Sequence, residues 1–506
     1  MSNPVVTNNL IVLTKDNLDV YVEQHPDDFS FSWERRDFVP RLLEFTNFRR
    51  GAIKLISGLR GTGKTVGLMQ LIKETDALYI RCLEKGQASM AEIYELINQS
   101  PERTNIFIDE FTWIKEMASP TTEAQFELRN AAERSIVALS ERGKNIILTG
   151  TESASLEAIK ARGFIHRTAD TEHVTRFSFE EFRRIYKQKL PKRPQEIYDM
   201  YLKEGGIFED YAKQSVGGMD EYIRNSIVEN IYSYIGNDTG FTRRKIASGV
   251  YTVLFKAVHD ILNTSIPGDD FTERAKANLA ALGIPDVTEK LHPRTVERIA
   301  ETLSNIGVII TVPNVLPRKK RMEKAGILED DERTYIVNPA ISFQLAKTIY
   351  GKIRAEDVIL GRLMEAAVIV ELNALKRPGD KLYFYDSDNG EIDAVIAPEY
   401  GEDPVSLFEV KHRFKISSDD IQNRHWSIPS DDVEEQIAER FPDNDIENRY
   451  FVYTGRVKSE KSRKNGKTYL FVGIDKYLKR YWDFSGNLKE IRKEYAKTTN
   501  NSCPKQ

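Results

Sequence analysis

Ile53-Lys54-Leu55-Ile56-Ser57-Gly58-Leu59-Arg60-Gly61-Thr62-Gly63-Lys64-Thr65 is the stretch whose reading decides the fold. An apolar β-type run, Ile53–Ser57, leads into GxxxxGK[ST], and Val66–Ile72 then reads as a helix. That order suits phosphate. Glycines let backbone N–H groups turn inward, and the helix after them aims its positive dipole end at the same point. Lys64 can reach β- and γ-phosphates, and the Thr65 hydroxyl is a Mg²⁺ ligand in this pattern.

Working outward, Ala77–Ile80, Ile106–Ile108 and Ile146–Leu148 are further short apolar runs, as expected of strands buried on both faces of a parallel sheet. Helical stretches separate them: Met90–Ile97, with Met90, Ile93, Leu96 and Ile97 on one face, and Glu123–Arg142. The expectation is a doubly wound α/β unit. Asn105-Ile106-Phe107-Ile108-Asp109-Glu110 ends one of its strands in two carboxylates. Asp109 is expected to support Mg²⁺ and Glu110 to act as general base on the attacking water. The next strand ends in Thr149-Gly150-Thr151. Thr149 is placed to sense a γ-phosphate, although a strand-to-turn transition explains the same residues. Gly58, Arg60, Gly61, Thr62, Gly63, Lys64, Thr65, Asp109 and Thr149 form the expected ATP site.

A second carboxylate group lies far downstream. Gly390-Glu391-Ile392-Asp393 starts one predicted strand and Phe408-Glu409-Val410-Lys411 ends the next, with Glu365 and Glu371 on a helix beginning at Gly361. Alternation along a strand puts Glu409 and Lys411 on one side, where Asp393 can meet them. Glu365, Asp393 and Glu409 would make a hard oxygen site for Mg²⁺ or Mn²⁺. Lys411 would orient or deprotonate a water, or stabilise charge on a phosphodiester. This is a D…ExK pattern, whose bland reading is two charged strand ends at a solvated sheet edge.

Between these groups the chain is mostly helical from Pro191 to Lys347. Val308–Val312 and Thr334–Val337 are strands flanking a polar stretch, a helix–strand–loop–strand order that reads as a winged helix. Arg318, Lys319, Lys320, Arg321 and Lys324 make that stretch a DNA-phosphate grip or a solvated loop. Arg456, Lys458, Lys461, Arg463, Lys464 and Lys467 read as a second polar loop. The seven histidines show no metal-ligand spacing.

Composition bounds these readings. The 506 residues suggest about three domains, and a net charge of −4 excludes a polycation without excluding a local basic surface. Two cysteines, Cys82 and Cys503, cannot build a disulfide framework. Met1–Tyr21 does not read as a signal peptide, and no apolar run approaches the ~20 residues of a membrane span. A cytoplasmic protein without membrane partners is expected.

Together these residues resemble a large prokaryotic family of AAA-type ATPases with a winged-helix segment and a C-terminal restriction-endonuclease-like domain. The resemblance covers roughly Phe38 to Lys479. It rests on Gly58–Thr65, with Leu59 where the family has proline; on Phe107–Glu110; on Thr149-Gly150-Thr151; and on Phe177-Ser178-Phe179-Glu180-Glu181-Phe182. Tyr201–Gly206, Gly361–Leu372, Gly390–Asp393 and Glu409–Lys411 continue it in the family's order. Arg167, in Gly163-Phe164-Ile165-His166-Arg167, is the nearest counterpart of the family's γ-phosphate-sensing arginine. Along the chain the expected division is a leader over 1–45, an ATPase core over 46–190, a helical and winged segment over 191–350, a nuclease-like α/β domain over 351–490 and a disordered tail over 491–506. The resemblance implies ATP binding and hydrolysis with Mg²⁺, with DNA and a second copy of the chain as candidate partners. Two functions remain open: an ATPase driving a nuclease-like, DNA-interacting module, or an ATP-gated switch whose C-terminal domain is a non-cleaving scaffold.

Overall fold

The computed structural model describes residues 5–7, 9–25, 34–48, 50–117, 123–152, 155–156, 159, 169–192, 194–206, 218–236, 241–262, 291–316, 332–350, 356–376, 379–387, 390–401, 403–411, 431–453, 460–464 and 467–473. Arg167 and the basic cluster at 318–324 lie outside these residues, as does the expected tail.

The fold is α/β. Strands β3 (Ile53–Ser57), β4 (Ala77–Cys82), β5 (Asn105–Asp109), β6 (Asn145–Thr149) and β7 (Ala169–His173) run parallel in the order β4-β5-β6-β3-β7. The strand that feeds the glycine loop is therefore interior, and every residue of β3, β5 and β6 is buried. Their alternating side chains enter two different cores. Ile53, Leu55, Ile106, Ile108, Ile146 and Leu148 meet helices Met90–Asn98 and Glu123–Glu141 on one face. Ile56, Phe107 and Ile147 meet Lys64–Glu74 on the other. Two-sided burial explains why these strands read as continuous apolar runs rather than alternating ones.

The supposed leader is part of this core. Strand β1 (Val5–Val6) pairs antiparallel with β2 (Leu10–Leu13), which pairs antiparallel with β4. Helices Leu18–Gln24 and Val39–Phe48 bury Leu18, Tyr21, Val39 and Leu42 against the second face. Short elements separated by charged residues give no visible period, which is why 1–45 did not read as structure. Strand β7 escaped for a related reason. Its sequence, Ala-Asp-Thr-Glu-His, is polar, and it is an edge strand held by pairing with β3.

The helices that follow share one large core: Phe179–Ile185, Pro194–Glu204, a helical run over 218–236, Arg243–Leu262, Pro293–Asn305, Pro339–Tyr350 and Glu356–Leu375. Within the run over 218–236, Ile223–Val228 and Tyr232–Gly236 are π-helical. After Pro293–Asn305 comes an antiparallel hairpin of β8 (Ile309–Pro313) and β9 (Glu332–Ile336). Arg333 of β9 is ion-paired to Asp386 at 2.9 Å and Glu391 at 2.8 Å, which fastens the hairpin to the next sheet.

That second sheet has the order β10 (Asp380–Ser387), β11 (Gly390–Pro398), β12 (Val405–Lys411), β13 (Ile446–Tyr453), β15 (Lys467–Gly473) and β14 (Glu460–Lys464). The first three strands are antiparallel, β12-β13-β15 are parallel, and β14 closes antiparallel. One face joins the helical core through Ala394, Phe408 and Tyr450, and the other covers helix Asp431–Arg440 through Val395 and Leu407. Residues 460–464 and 467 are thus strand rather than polar loop. A charge-rich edge strand is a common guard against edge-to-edge association, and it hides the strand from a hydropathy reading. The helix carrying Glu365 starts at Glu356, before the expected Gly361.

Candidate functional site

The glycine loop follows β3 into the N-terminus of helix Lys64–Glu74. Gly61 and Gly63 take φ of 73° and 79°, the left-handed region that glycine enters without strain. Gly58 is required for a different reason: a Cβ there would lie 1.9 Å from the Val174 carbonyl oxygen. The Lys64 ammonium donates to the carbonyls of Gly58 at 2.7 Å and Leu59 at 2.8 Å, which folds it into the loop. Burial lowers its pKa to about 8, against the opposing pull of Glu110 and Asp109. The Thr62 hydroxyl donates to the Leu59 carbonyl at 2.8 Å. Arg60 sends its guanidinium over Trp113, 5.9 Å from the ring centroid.

The strand-end carboxylates arrive where the sequence places them. Asp109 accepts from the Thr65 hydroxyl at 2.8 Å and from the Tyr79 hydroxyl at 2.8 Å. A hydroxyl touching a buried carboxylate is a hard oxygen pair, so Thr65 and Asp109 fit Mg²⁺, while the glycine loop and Lys64 fit a polyphosphate. Glu110 is buried and left-handed at φ 57°, the only non-glycine residue with positive φ among those described. That backbone costs on the order of 1–3 kcal/mol and is tolerated only where surrounding contacts enforce it. Here Glu110 accepts from both the backbone N–H and the hydroxyl of Thr151, at 2.9 and 3.0 Å. Its pKa is raised, first by burial and then by the Asp109 charge.

Thr149 departs from expectation. It is fully buried at the end of β6, and its hydroxyl donates to Asp109 on the adjacent strand β5 rather than facing outward as a phosphate sensor.

Sequence reading also missed Arg36, although it is one of the largest fully buried side chains. Its guanidinium donates to Glu181 at 2.8 Å and to the Thr62 carbonyl of the glycine loop, and it lies over the rings of Phe38 and Phe177 at 5.1 and 4.4 Å. Glu181 also accepts from the backbone N–H of Asp37 and closes a capping box with Ser178. Asp37 is raised to about 6, by burial and then by repulsion from Glu181. An isolated arginine in a charged, aperiodic segment carries no signal that it is interior.

At the second group, Asp393 and Glu365 come together. Ala394 pairs with Phe408 in the β11–β12 register, and Asp393 accepts from the Val410 N–H at 2.6 Å. Burial, the Asp393 charge and a hydrogen bond to Asp393 hold the Glu365 pKa well above the ordinary range. Glu409 is buried on β12, and the Lys411 backbone ends that strand. The expected cage of Glu365, Asp393 and Glu409 is not assembled: among the described residues, no three His, Cys, Asp or Glu side chains are grouped as metal ligands. One Asp393 oxygen is turned to the Val410 backbone N–H. Glu371 stands apart from that pair. It accepts from Arg176 at 2.6 Å and lies near the Tyr201 hydroxyl, locking the start of the helical region to helix Glu356–Leu375.

Comparison with known proteins finds two matching family models. Residues 50–183 match the family model described as an AAA domain, and residues 360–467 match one described as a domain of unknown function, DUF4143. The chain thus carries an AAA-type P-loop domain. No curated protein matches it. Among solved structures it is similar to the Aeropyrum pernix ORC2 protein in ADPNP–ADP complexes, at 11% identity and a TM-score of 0.32, over 64% of this chain and 91% of that one. It is also similar to the Aeropyrum pernix ORC1 protein in complex with DNA, at 13% identity and a TM-score of 0.22, over 62% and 93% of the two chains. A katanin structure shares 15% identity at a TM-score of 0.22, over 58% and 93%. Among the described residues no helix is long and apolar enough to cross a membrane.

Proposed function

We propose that the chain is a Mg²⁺-dependent ATPase whose nucleotide state acts on its C-terminal α/β module. The observation that carries this is the convergence of Lys64, Thr65, Asp109 and Glu110 at the ends of adjacent elements. Lys64 and the loop amides of Gly58–Thr65 hold the phosphates, Thr65 and Asp109 hold Mg²⁺, and Glu110 takes the proton of the attacking water. Bound Mg²⁺ supplies charge neutralisation at the phosphates. The proposed division is a core to about residue 190, a helical segment to about 350 and the module beyond it. The contact from Arg176 to Glu371 supports coupling between the first and the last. A cytoplasmic location and self-association belong to the same reading.

Mg-ATP titration across pH tests the nucleotide site. Phosphates favour the charged lysine, and in the free protein Lys64 loses its proton through about pH 8. The apparent Kd is therefore flat below that pH and rises about tenfold per unit above it. Lys64→Ala weakens binding and removes this slope. A flat wild-type profile up to about pH 9.5 counts against Lys64 as a phosphate ligand.

A second reading is that the module cleaves phosphodiesters, and the hydrogen-bonded Glu365–Asp393 pair favours it. Those carboxyls would hold Mg²⁺ or Mn²⁺ in their ionised form, with Lys411 assisting at the water. DNA cleavage that requires either metal and disappears in Asp393→Ala supports it. Nucleotide-dependent partner engagement with no cleavage supports the scaffold role instead.

A further inference from the structure

We infer that Arg333 is a built-in counter-ion that closes the carboxyl cluster of the C-terminal module to divalent cations. The inference rests on the second reading above, in which Glu365 and Asp393 take Mg²⁺ or Mn²⁺, and it concerns the regulation of that site.

Four carboxyls gather on one side of the second sheet. Glu365 is hydrogen-bonded to Asp393, and Glu391 acts on Glu365 as a further negative charge. Alternation along β11 puts Glu391 on the same side as Asp393, and Asp386 faces Glu391 across the β10–β11 register. Like charges this close disfavour ionisation unless positive charge enters the group, and a divalent cation is the usual source. Here the charge comes from the chain. The Arg333 guanidinium on β9 donates to Glu391 at 2.8 Å through one terminal nitrogen and to Asp386 at 2.9 Å through the other. It also lies over the Phe384 ring, 4.3 Å from the centroid, which anchors it between the two acids.

Tyr335, two residues along and on the same face of β9, is buried, and its hydroxyl accepts from Arg333. Burial first, then the charges of Glu365 and Asp393 against the pull of Arg333, raise the Tyr335 pKa. Strand β9 therefore offers its guanidinium to the outer pair of acids and its phenol to the inner pair. Arg362 adds a second cation, donating to Glu365 at 3.3 Å. An arginine keeps its charge across the whole pH range of a folded protein, and its fork satisfies two acids at once. An entering metal ion would meet a fixed positive charge and acids already engaged. Because β9 pairs in the β8–β9 hairpin and not in the sheet that carries these acids, the contact is autoinhibitory.

Mn²⁺ titration of the nucleotide-free full chain, followed by electron paramagnetic resonance, reads this closure without any reaction. The uptake counted is the part that Asp393→Asn removes, which sets aside metal held at Thr65 and Asp109. Arg333→Met keeps a stem over Phe384 but loses the charge. Side-chain exposures of 46% for Asp386 and 40% for Glu391 mean that it leaves no buried, unpaired carboxylate behind. It should tighten the Asp393-dependent uptake by about tenfold or more, the effect of removing one positive charge beside a dication. Arg333→Lys keeps the charge and should stay within a few-fold of wild type. Equal uptake in wild type and Arg333→Met would overturn the counter-ion and leave the metal reading standing. Uptake as tight in Arg333→Lys as in Arg333→Met would overturn charge as the cause of closure. No Asp393-dependent uptake in any of the three would overturn both readings. Tightened uptake in Arg333→Met without DNA cleavage in either metal would support the counter-ion and overturn cleavage alone.

Discussion

Glu110→Gln is expected to lower ATP turnover by about 10²–10⁴-fold while leaving Mg-ATP affinity within a few-fold. The amide cannot accept the water's proton, but on the reading above phosphate binding rests on Lys64 and the loop, whose hydrogen bonds the substitution leaves in place. Stability separates this outcome from misfolding. Burial and Asp109 raise the folded-state pKa of Glu110 above its unfolded value. Its contribution to stability is therefore full below the unfolded pKa and lost as pH rises through the folded one, so the ionised carboxylate costs stability that the protonated one does not. Glutamine carries no such cost and still accepts from the Thr151 N–H. The variant should melt no lower than wild type. A fall in melting temperature alongside the lost turnover would show that Glu110 is structural rather than catalytic.

Arg36→Ala is expected to cost about 3 kcal/mol or more, because it leaves the Glu181 carboxylate buried without its cation. Side-chain exposures of 2% and 4% for the pair mean that solvent does not screen this loss. The two backbone N–H groups that Glu181 keeps, from Asp37 and Ser178, soften it. For a unit of this size the loss corresponds to a melting temperature lower by about 6–12 °C. KM for ATP should rise as well, since Arg36 also donates to the Thr62 carbonyl and so shapes the phosphate loop. Arg36→Lys should recover little, because one ammonium cannot reach Glu181 and Thr62 while stacking on Phe38 and Phe177. A melting temperature within about a degree of wild type would rule out this role.

How far the chain could be read follows from the physics of each element. The strands β3, β4, β5 and β6 were legible because burial on both faces demands unbroken apolar runs. Their ends carried Lys64, Thr65, Asp109 and Glu110 with them, since chemistry at the carboxyl edge of a parallel sheet is fixed by where each strand stops. Strands β1, β2, β7 and β14 were not legible. Each depends on pairing with a distant partner, and pairing leaves no local pattern in a short or polar edge strand.

Residue roles divide along the same line. The glycine spacing and the strand before it located a tight loop ahead of a helix, in the residue order that lets a backbone curl around an anion. Only the tertiary structure decided what surrounds it. Arg36 comes from a segment without periodicity, Thr149 turns inward to Asp109, Thr151 takes Glu110, and Asn230 reaches Thr151 from a separate helix. Hydrogen bonds and ion pairs between residues far apart in sequence depend on where the folded chain places them. Sequence periodicity records which face of an element is buried, but not which partner meets it there.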